Sequence, residues 1–297
     1  MPTTLSLPKI STNVRFAASA LLFPELAGAW AERLFLTPPR NVGAAAALDL
    51  IDARSSLIEH KGRQIATWRW GSREAPLVVL AHGWGGYAAQ MRGFVFPLVS
   101  AGYQVVAYDQ PAHGVSEGKL TGLPDFADVL TEVAWHYGGA QAFIGHSLGA
   151  AAVGLALASR RIRLEKVVLV SPPADLVGYS RHFARWHWMP EAVRRAMQSA
   201  IEERYGVLWE NLDVARLAPR IAAPALVIHD RDDRRVPWTQ GAHVAQVWPG
   251  ARLMSTDGLG HGRILSADVV TRAAADFIAG RSAVAPVAAE VQPAPLY

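Results

Sequence analysis

Residues 142–159 read AFIGHSLGAAAVGLALAS. The stretch opens as a short apolar run of the kind that forms a buried strand. It then turns sharply at Gly145-His146-Ser147-Leu148-Gly149 and continues in small residues at helical spacing. A serine at the tip of a strand–turn–helix is held in a strained conformation with its hydroxyl exposed. Glycine two residues before and two after it relieves the crowding there. Ala150, Ala151 and Ala152 then let the helix lie close on a sheet.

The same alternation extends outward in both directions. LVVLAH (77–82), YQVVAYD (103–109), KVVLVSP (166–172) and ALVIHD (225–230) read as buried strands. SLIEH and RQIATWRW, joined by Lys61-Gly62, read as an antiparallel hairpin. Helical stretches cover about 88–100, 124–138, 148–159, 238–247 and 262–279, and RLMST (252–256) is a further strand. Strands alternating with helices imply an α/β fold with a mainly parallel sheet covered on both faces.

Two further motifs follow the first two buried strands. They are His82-Gly83-Trp84-Gly85-Gly86 and Asp109-Gln110-Pro111-Ala112-His113-Gly114-Val115-Ser116. With the serine motif they make the chain resemble the α/β-hydrolase family over about residues 56–279, as a serine esterase- or lipase-like member. The second motif looks like the family's Asp-x-Pro-Gly-His-Gly-x-Ser turn, with Ala112 in place of a glycine. The resemblance implies a mostly parallel sheet flanked by helices, with a helical cap insertion. It divides the chain into an N-terminal helical extension (1–54), a core (55–172 and 221–280), a cap (173–220) and a flexible tail (281–297).

A serine hydroxyl attacks a carbonyl only when a neutral imidazole takes its proton and a carboxylate orients that imidazole. The resemblance makes Ser147 the nucleophile. It treats His82, His113 and His146 as structural and places the base at His261, in Gly258-Leu259-Gly260-His261-Gly262. Three aspartates follow strand 225–230. The family's acid stands three residues before the Val of a Val-Pro pair, which Asp233 fits with Val236 and Pro237. Asp232 is the rival, Asp230 takes a position often held by glycine, and Asp175 is a remote alternative. The order Ser, Asp, His is that of α/β-hydrolases. The backbone N–H groups of Leu148 and Trp84 are the expected oxyanion donors, and the Trp84 indole is free to serve as a pocket wall.

Residues 173–220 contain no strand, and a connection this long in a compact domain is usually functional. From it Trp186, Trp188, Met189 and Trp209 are expected to bind substrate together with Trp84. Arg181, Arg185, Arg194, Arg195 and Arg204 are expected to form a solvated face.

Composition narrows the rest. Among 297 residues, 51% are hydrophobic and 18% charged, which provides for a large core and excludes wholesale disorder. Cysteine is absent, so disulfides, thiolate zinc sites and a cysteine nucleophile are excluded. The net charge of +4 comes from scattered residues, so no nucleic-acid partner is expected. No metal and no cofactor are expected, and the partner is a small-molecule ester. Residues 12–36 read as an amphipathic helix broken near Pro24, which packs on the body or touches a membrane surface. Arg15 precedes an apolar stretch, but Pro24 and Glu25 interrupt it at once, a poor signal-peptide core. A cytoplasmic location is therefore expected, with export or membrane association as the minor alternative.

These readings converge on a serine carboxylesterase acting on small to medium acyl or aromatic groups. An aminopeptidase, a thioesterase or a C–C bond hydrolase would use the same three residues. A non-catalytic binding protein of the same fold is the alternative from another class.

Overall fold

The computed structural model describes residues 24–40, 50 and 52–281. The expected helix over 12–23 and the tail over 282–297 lie outside the described residues. Eight strands form one sheet: β1 (Arg54–His60), β2 (Arg63–Trp70), β3 (Leu77–Ala81), β4 (Gln104–Tyr108), β5 (Ala142–His146), β6 (Lys166–Val170), β7 (Ala225–Asp230) and β8 (Arg252–Thr256). Their order across the sheet is β1-β2-β4-β3-β5-β6-β7-β8. β1 and β2 pair antiparallel, β2 meets β4 antiparallel, and every pair from β4 to β8 is parallel. The β1–β2 turn places Lys61 (φ 49°) and Gly62 (φ 72°) both at positive φ, the pattern of a type I′ hairpin.

The parallel strands are buried along nearly their whole length because helices cover both faces. One face carries α1 (Pro24–Leu36), α3 (Leu123–His136), α4 (Leu148–Ala158), the helices of 173–220 and α8 (Trp238–Val247). The other carries a 3₁₀ segment (Ala88–Phe94) running into α2 (Val95–Ser100), and α10 (Asp268–Ile278). The expected helix over 88–100 is thus two pieces. Within its first part Gly93 backs onto Leu265, where a Cβ would stand 2.5 Å from the carbonyl oxygen.

The regular structure of segment 173–220 is all helical: α5 (Leu176–Trp186), α6 (Glu191–Tyr205), 3₁₀ turns at Trp209–Leu212 and Ala218–Arg220, and α7 (Val214–Leu217). α1 packs along α6, burying Ala27 and Ala31, with Gly28 set against Ala196. The described part of the N-terminal helix therefore spends its apolar face inside the molecule. Among the described residues, no helix is long and apolar enough to cross a membrane.

The chain runs from β3 outward to β4, then returns to place β5 on the other side of β3. Such a reversal opens a crevice beyond the carboxyl ends of the strands, where parallel sheets place their ligands.

Candidate active site

Ser147 sits at that crevice. Its N–H donates to Val170 O at 2.9 Å, prolonging the β5–β6 ladder by one rung. The chain then reverses into α4 with Ser147 at φ 52°, ψ −122°, a conformation that L-residues rarely adopt. The neighbouring glycines make this possible. A Cβ on Gly145 would stand 2.6 Å from Ala150 Cα, and one on Gly149 would overlap Ala81 O and His82 O. A Cβ on Gly83 would stand 2.8 Å from Ser147 Cβ, so only glycine lets this loop approach the serine.

His261 lies past β8, in the single turn α9 (Gly260–Arg263). Its Nδ1 is 2.7 Å from Asp233 Oδ2. With a carboxylate there, Nδ1 carries the proton and Nε2 is left as the acceptor. Asp233 Oδ1 in turn accepts from Arg235 N at 2.9 Å and Val236 N at 3.0 Å. Buried His229 stands behind it: its Nε2–H, directed at Val236 O (3.0 Å), is 3.4 Å from Asp233 Oδ2. Burial alone would push the Asp233 carboxyl up. The His229 and His261 donors and the Val236 N–H outweigh that and hold it well below the usual carboxylate range.

The neighbouring aspartates have different surroundings. Asp232 accepts from Gly258 N at 2.8 Å. Asp230 is fully buried and accepts from Asp232 N, Leu259 N, Gly260 N and Thr256 Oγ1 at 2.7–3.0 Å. It ties the end of β7 to the loop that carries His261. Neither residue hydrogen-bonds the His261 ring. Asp175 caps α5 by accepting from Gly178 N at 2.7 Å.

His146 clasps the same loop from the serine side. Its Nε2 bonds His261 O at 2.9 Å, and the two rings are 4.7 Å apart. Burial lowers its pKa to about 3, so it stays neutral. His82 and His113 are also buried and neutral, lowered to about 3 and about 4. Each directs Nδ1–H at a backbone carbonyl, of Gly83 and Pro111 respectively. Each accepts a loop N–H at Nε2: Gln110 N on His82, Gly85 N on His113. The Asp109 carboxylate accepts from Ala88 N and Val115 N, binding the two glycine-rich loops together. Ala112, standing where the related turn has glycine, adopts φ 64°.

Ser147 and His261 open into one cavity of about 200 Å³ with mostly apolar walls. Leu148 and Trp84 also line it, and among the described residues neither backbone N–H has a protein acceptor. The Trp84 indole stacks on Phe126 at 6.3 Å.

The expected substrate-binding set is corrected in part. Trp209 and Trp84 line the cavity; Trp186, Trp188 and Met189 do not. Trp186 is 61% exposed on the outer side of α5. Trp188 is 73% exposed, in the turn after α5 at φ 52°. Met189, 7% exposed, packs into the core beneath that turn. Helical spacing identifies which residues share a face but not which face meets the crevice.

The expected basic face differs at one residue. Arg194 is buried, bonded to Glu191, Ser180 and Gln198. Arg181, Arg185, Arg195 and Arg204 are exposed, Arg204 also pairing with Glu32 of α1. The cavity also has walls that sequence reasoning missed: Phe35 and Leu36 at the end of α1, Tyr179 of α5 and Tyr205 of α6. The apolar end of the 12–36 helical pattern was the available signal for the first two.

Known proteins share this fold. Residues 78–274 match the family described as the alpha/beta hydrolase family. A non-heme chloroperoxidase from Streptomyces lividans is 28% identical over 249 residues, covering 66% of this chain and 88% of its own. A bifunctional esterase/perhydrolase from Acinetobacter calcoaceticus is 25% identical over 248 residues, covering 65% and 87%. The solved structure of a Pyrococcus furiosus esterase superposes with a TM-score of 0.61 at 23% identity, covering 82% of this chain and 97% of that one. A sheet reversing at β3, a strained serine beyond β5 and a family match spanning most of the sheet lead to one assignment. The chain belongs to the alpha/beta hydrolase family.

Proposed function

We propose that the protein is a serine hydrolase cleaving carboxylic esters of small to medium acyl or aromatic groups. Ser147 is the nucleophile. His261 Nε2 takes its proton as Oγ bonds to the carbonyl carbon, and the Leu148 and Trp84 N–H groups stabilise the oxyanion. The N-terminus of α4 adds positive potential at that point. His261 then gives the proton to the leaving alcohol, and acyl-Ser147 remains. Water attacks the acyl group with His261 again as base, releasing the acid and regenerating the serine. Asp233 fixes the His261 tautomer and stabilises the imidazolium.

The observation that carries this reading is the pairing of a strained serine with an Asp233-held histidine on the walls of one apolar cavity. The esterase activity in the name of the Acinetobacter relative supports ester chemistry over amide, thioester or C–C cleavage on the same residues.

A panel of p-nitrophenyl esters, anilides and thioesters tests it, with Ser147→Ala as the blank. Ester turnover is expected to dominate and to fall by about 10⁴-fold or more in the variant. Unchanged turnover by Ser147→Ala would remove Ser147 from the mechanism. A fluorophosphonate that labels the folded protein only before heat denaturation supports an enzyme. Absence of labelling and of turnover would favour a binding protein.

A further inference from the structure

The segment from Pro24 to Arg40 lies wholly before residues 78–274, the part matching the family, yet it forms part of the cavity wall. Phe35 and Leu36 both line the space that Ser147 and His261 open into. Leu36 is buried, 1% exposed. Phe35 meets Phe183 edge-on at 5.0 Å, Tyr179 edge-on at 5.8 Å and Trp209 at 5.4 Å. Tyr179 and Trp209 are themselves cavity walls, so Phe35 completes a box of aromatic rings.

The segment is fastened along its length. Gly28 brings α1 close to α6 at Ala196. Glu32, largely buried, pairs with Arg204 of α6. Leu36 O accepts from Thr121 N at 2.9 Å, and Thr121 is another lining residue. Pro39 packs on Gly85, beside Trp84. The Arg40 guanidinium donates to three carbonyls of the Asp109 turn: Ala112 O, Ser116 O and Gly118 O, at 2.7–3.2 Å. These bonds join the segment to both glycine-rich loops and to the helices of 173–220. A side chain held this way has few rotamers open to it, so its size sets the room available to a substrate.

We propose that the end of α1 gauges the acyl group, with Phe35 as the residue that sets chain-length preference. This rests on the ester-hydrolase reading above, and it adds that the favoured substrates are apolar acyl esters whose length is limited by the Phe35 ring. Removing that ring leaves space that longer chains fill, and each methylene buried there favours the longer ester. Enlarging the ring closes the same space.

The test uses the full chain and p-nitrophenyl butanoate, octanoate and dodecanoate. Phe35→Ala is expected to raise the dodecanoate-to-butanoate ratio of kcat/KM about ten-fold, and Phe35→Trp to lower it by about the same factor. A merely structural role would scale all three esters alike in both variants, and that result overturns the proposal. Leu36→Val, a milder trim of the same wall, gives a smaller shift towards longer esters and serves where Phe35→Ala does not fold.

Binding of saturated fatty acids of the same lengths, read through tryptophan fluorescence, separates this proposal from the one beneath it. Trp84 and Trp209 border the cavity and report its occupancy without turnover. A length preference in binding that moves with residue 35, in a protein that cleaves no ester, would keep the gauge and discard the ester reading. A binding preference indifferent to residue 35 would discard the gauge.

Discussion

At the carboxyl edge of the sheet, main-chain groups set the positions. Asp230 gathers the N–H groups of Asp232, Leu259 and Gly260, Asp233 takes those of Arg235 and Val236, and His146 reaches the carbonyl of His261. Across the cavity, side chains set them: Phe35 against Tyr179, Phe183 and Trp209, and Glu32 against Arg204. Backbone donors are independent of residue type and rigid, so one region tolerates little change in the residues they hold. Packed rings can be exchanged for others of similar volume, so the second region is free to vary in shape. Reaction geometry belongs to the first region and substrate fit to the second.

The sharpest way to break this comparison is at the aspartates. Asp233→Asn keeps the shape but presents the wrong partner to His261 Nδ1–H, and about 10³–10⁴-fold loss of kcat is expected. Asp232→Asn retains an oxygen for Gly258 N, and a loss below about ten-fold is expected. Steady-state kinetics on one ester decides, and equal losses would dissolve the distinction between the two residues.

Acid should act on the loops at the sheet edge before it reaches the helices. His82, His113 and His146 are neutral when folded, with pKa values of about 3, about 4 and about 3. In the unfolded chain they titrate near about 6.5. Below that pH the unfolded state binds protons that the folded state refuses, so stability falls as pH drops from about 6.5 towards about 4. With all three neutral the slope approaches about 4 kcal/mol per pH unit at most. Asp233, held below the usual range, adds its own loss only below about pH 4. Urea midpoints at pH 7, 6 and 5 measure this, and a flat series would contradict neutral buried histidines.

Within the helical region, two tryptophans separate wall from surface. Trp209→Phe trims a wall of the cavity and is expected to raise KM about ten-fold for an aromatic ester with little change in kcat. Trp188→Ala removes a ring that points away from the cavity, and kcat/KM should stay within about two-fold. The reverse pattern would return Trp188 to the substrate's path.

The smallest effect concerns one turn. Ala112 at φ 64° bears a left-handed strain that glycine would not. Ala112→Gly is expected to raise stability by about 0.5–1 kcal/mol after the added freedom of the unfolded chain is counted, a Tm rise of roughly 2 °C. A lower Tm would mean that the Ala112 methyl packs better than its backbone suffers.

Much of the sheet was legible because buried parallel strands are continuous apolar runs with little else to become. The serine turn was legible for a related reason: two close approaches in few residues, at Gly145 and Gly149, demand glycine, and glycine is visible in a sequence. The separation of the three aspartates was legible only through a family pattern. Nothing local distinguishes Asp230, which holds the loop, from Asp233, which meets the ring; that difference comes from where β8 and its loop fold back. The cavity wall was least legible. Phe35 lies more than a hundred residues from Ser147, and the packing of α1 on α6 brings them to the same space. Trp186 and Trp188 carry the composition of a pocket but stand on the outer side of α5 and in the turn that follows it.

The fastening of the Pro24–Arg40 segment has a practical consequence for anyone preparing this protein in pieces. A chain trimmed to start just before β1 would retain Ser147, Asp233 and His261 yet uncover Ala196, Phe183 and Trp209 to water, and leave Arg204 without its acid. Such a fragment would present a greasy seam where a helix had been, and self-association through that seam, rather than loss of chemistry, would be the first symptom.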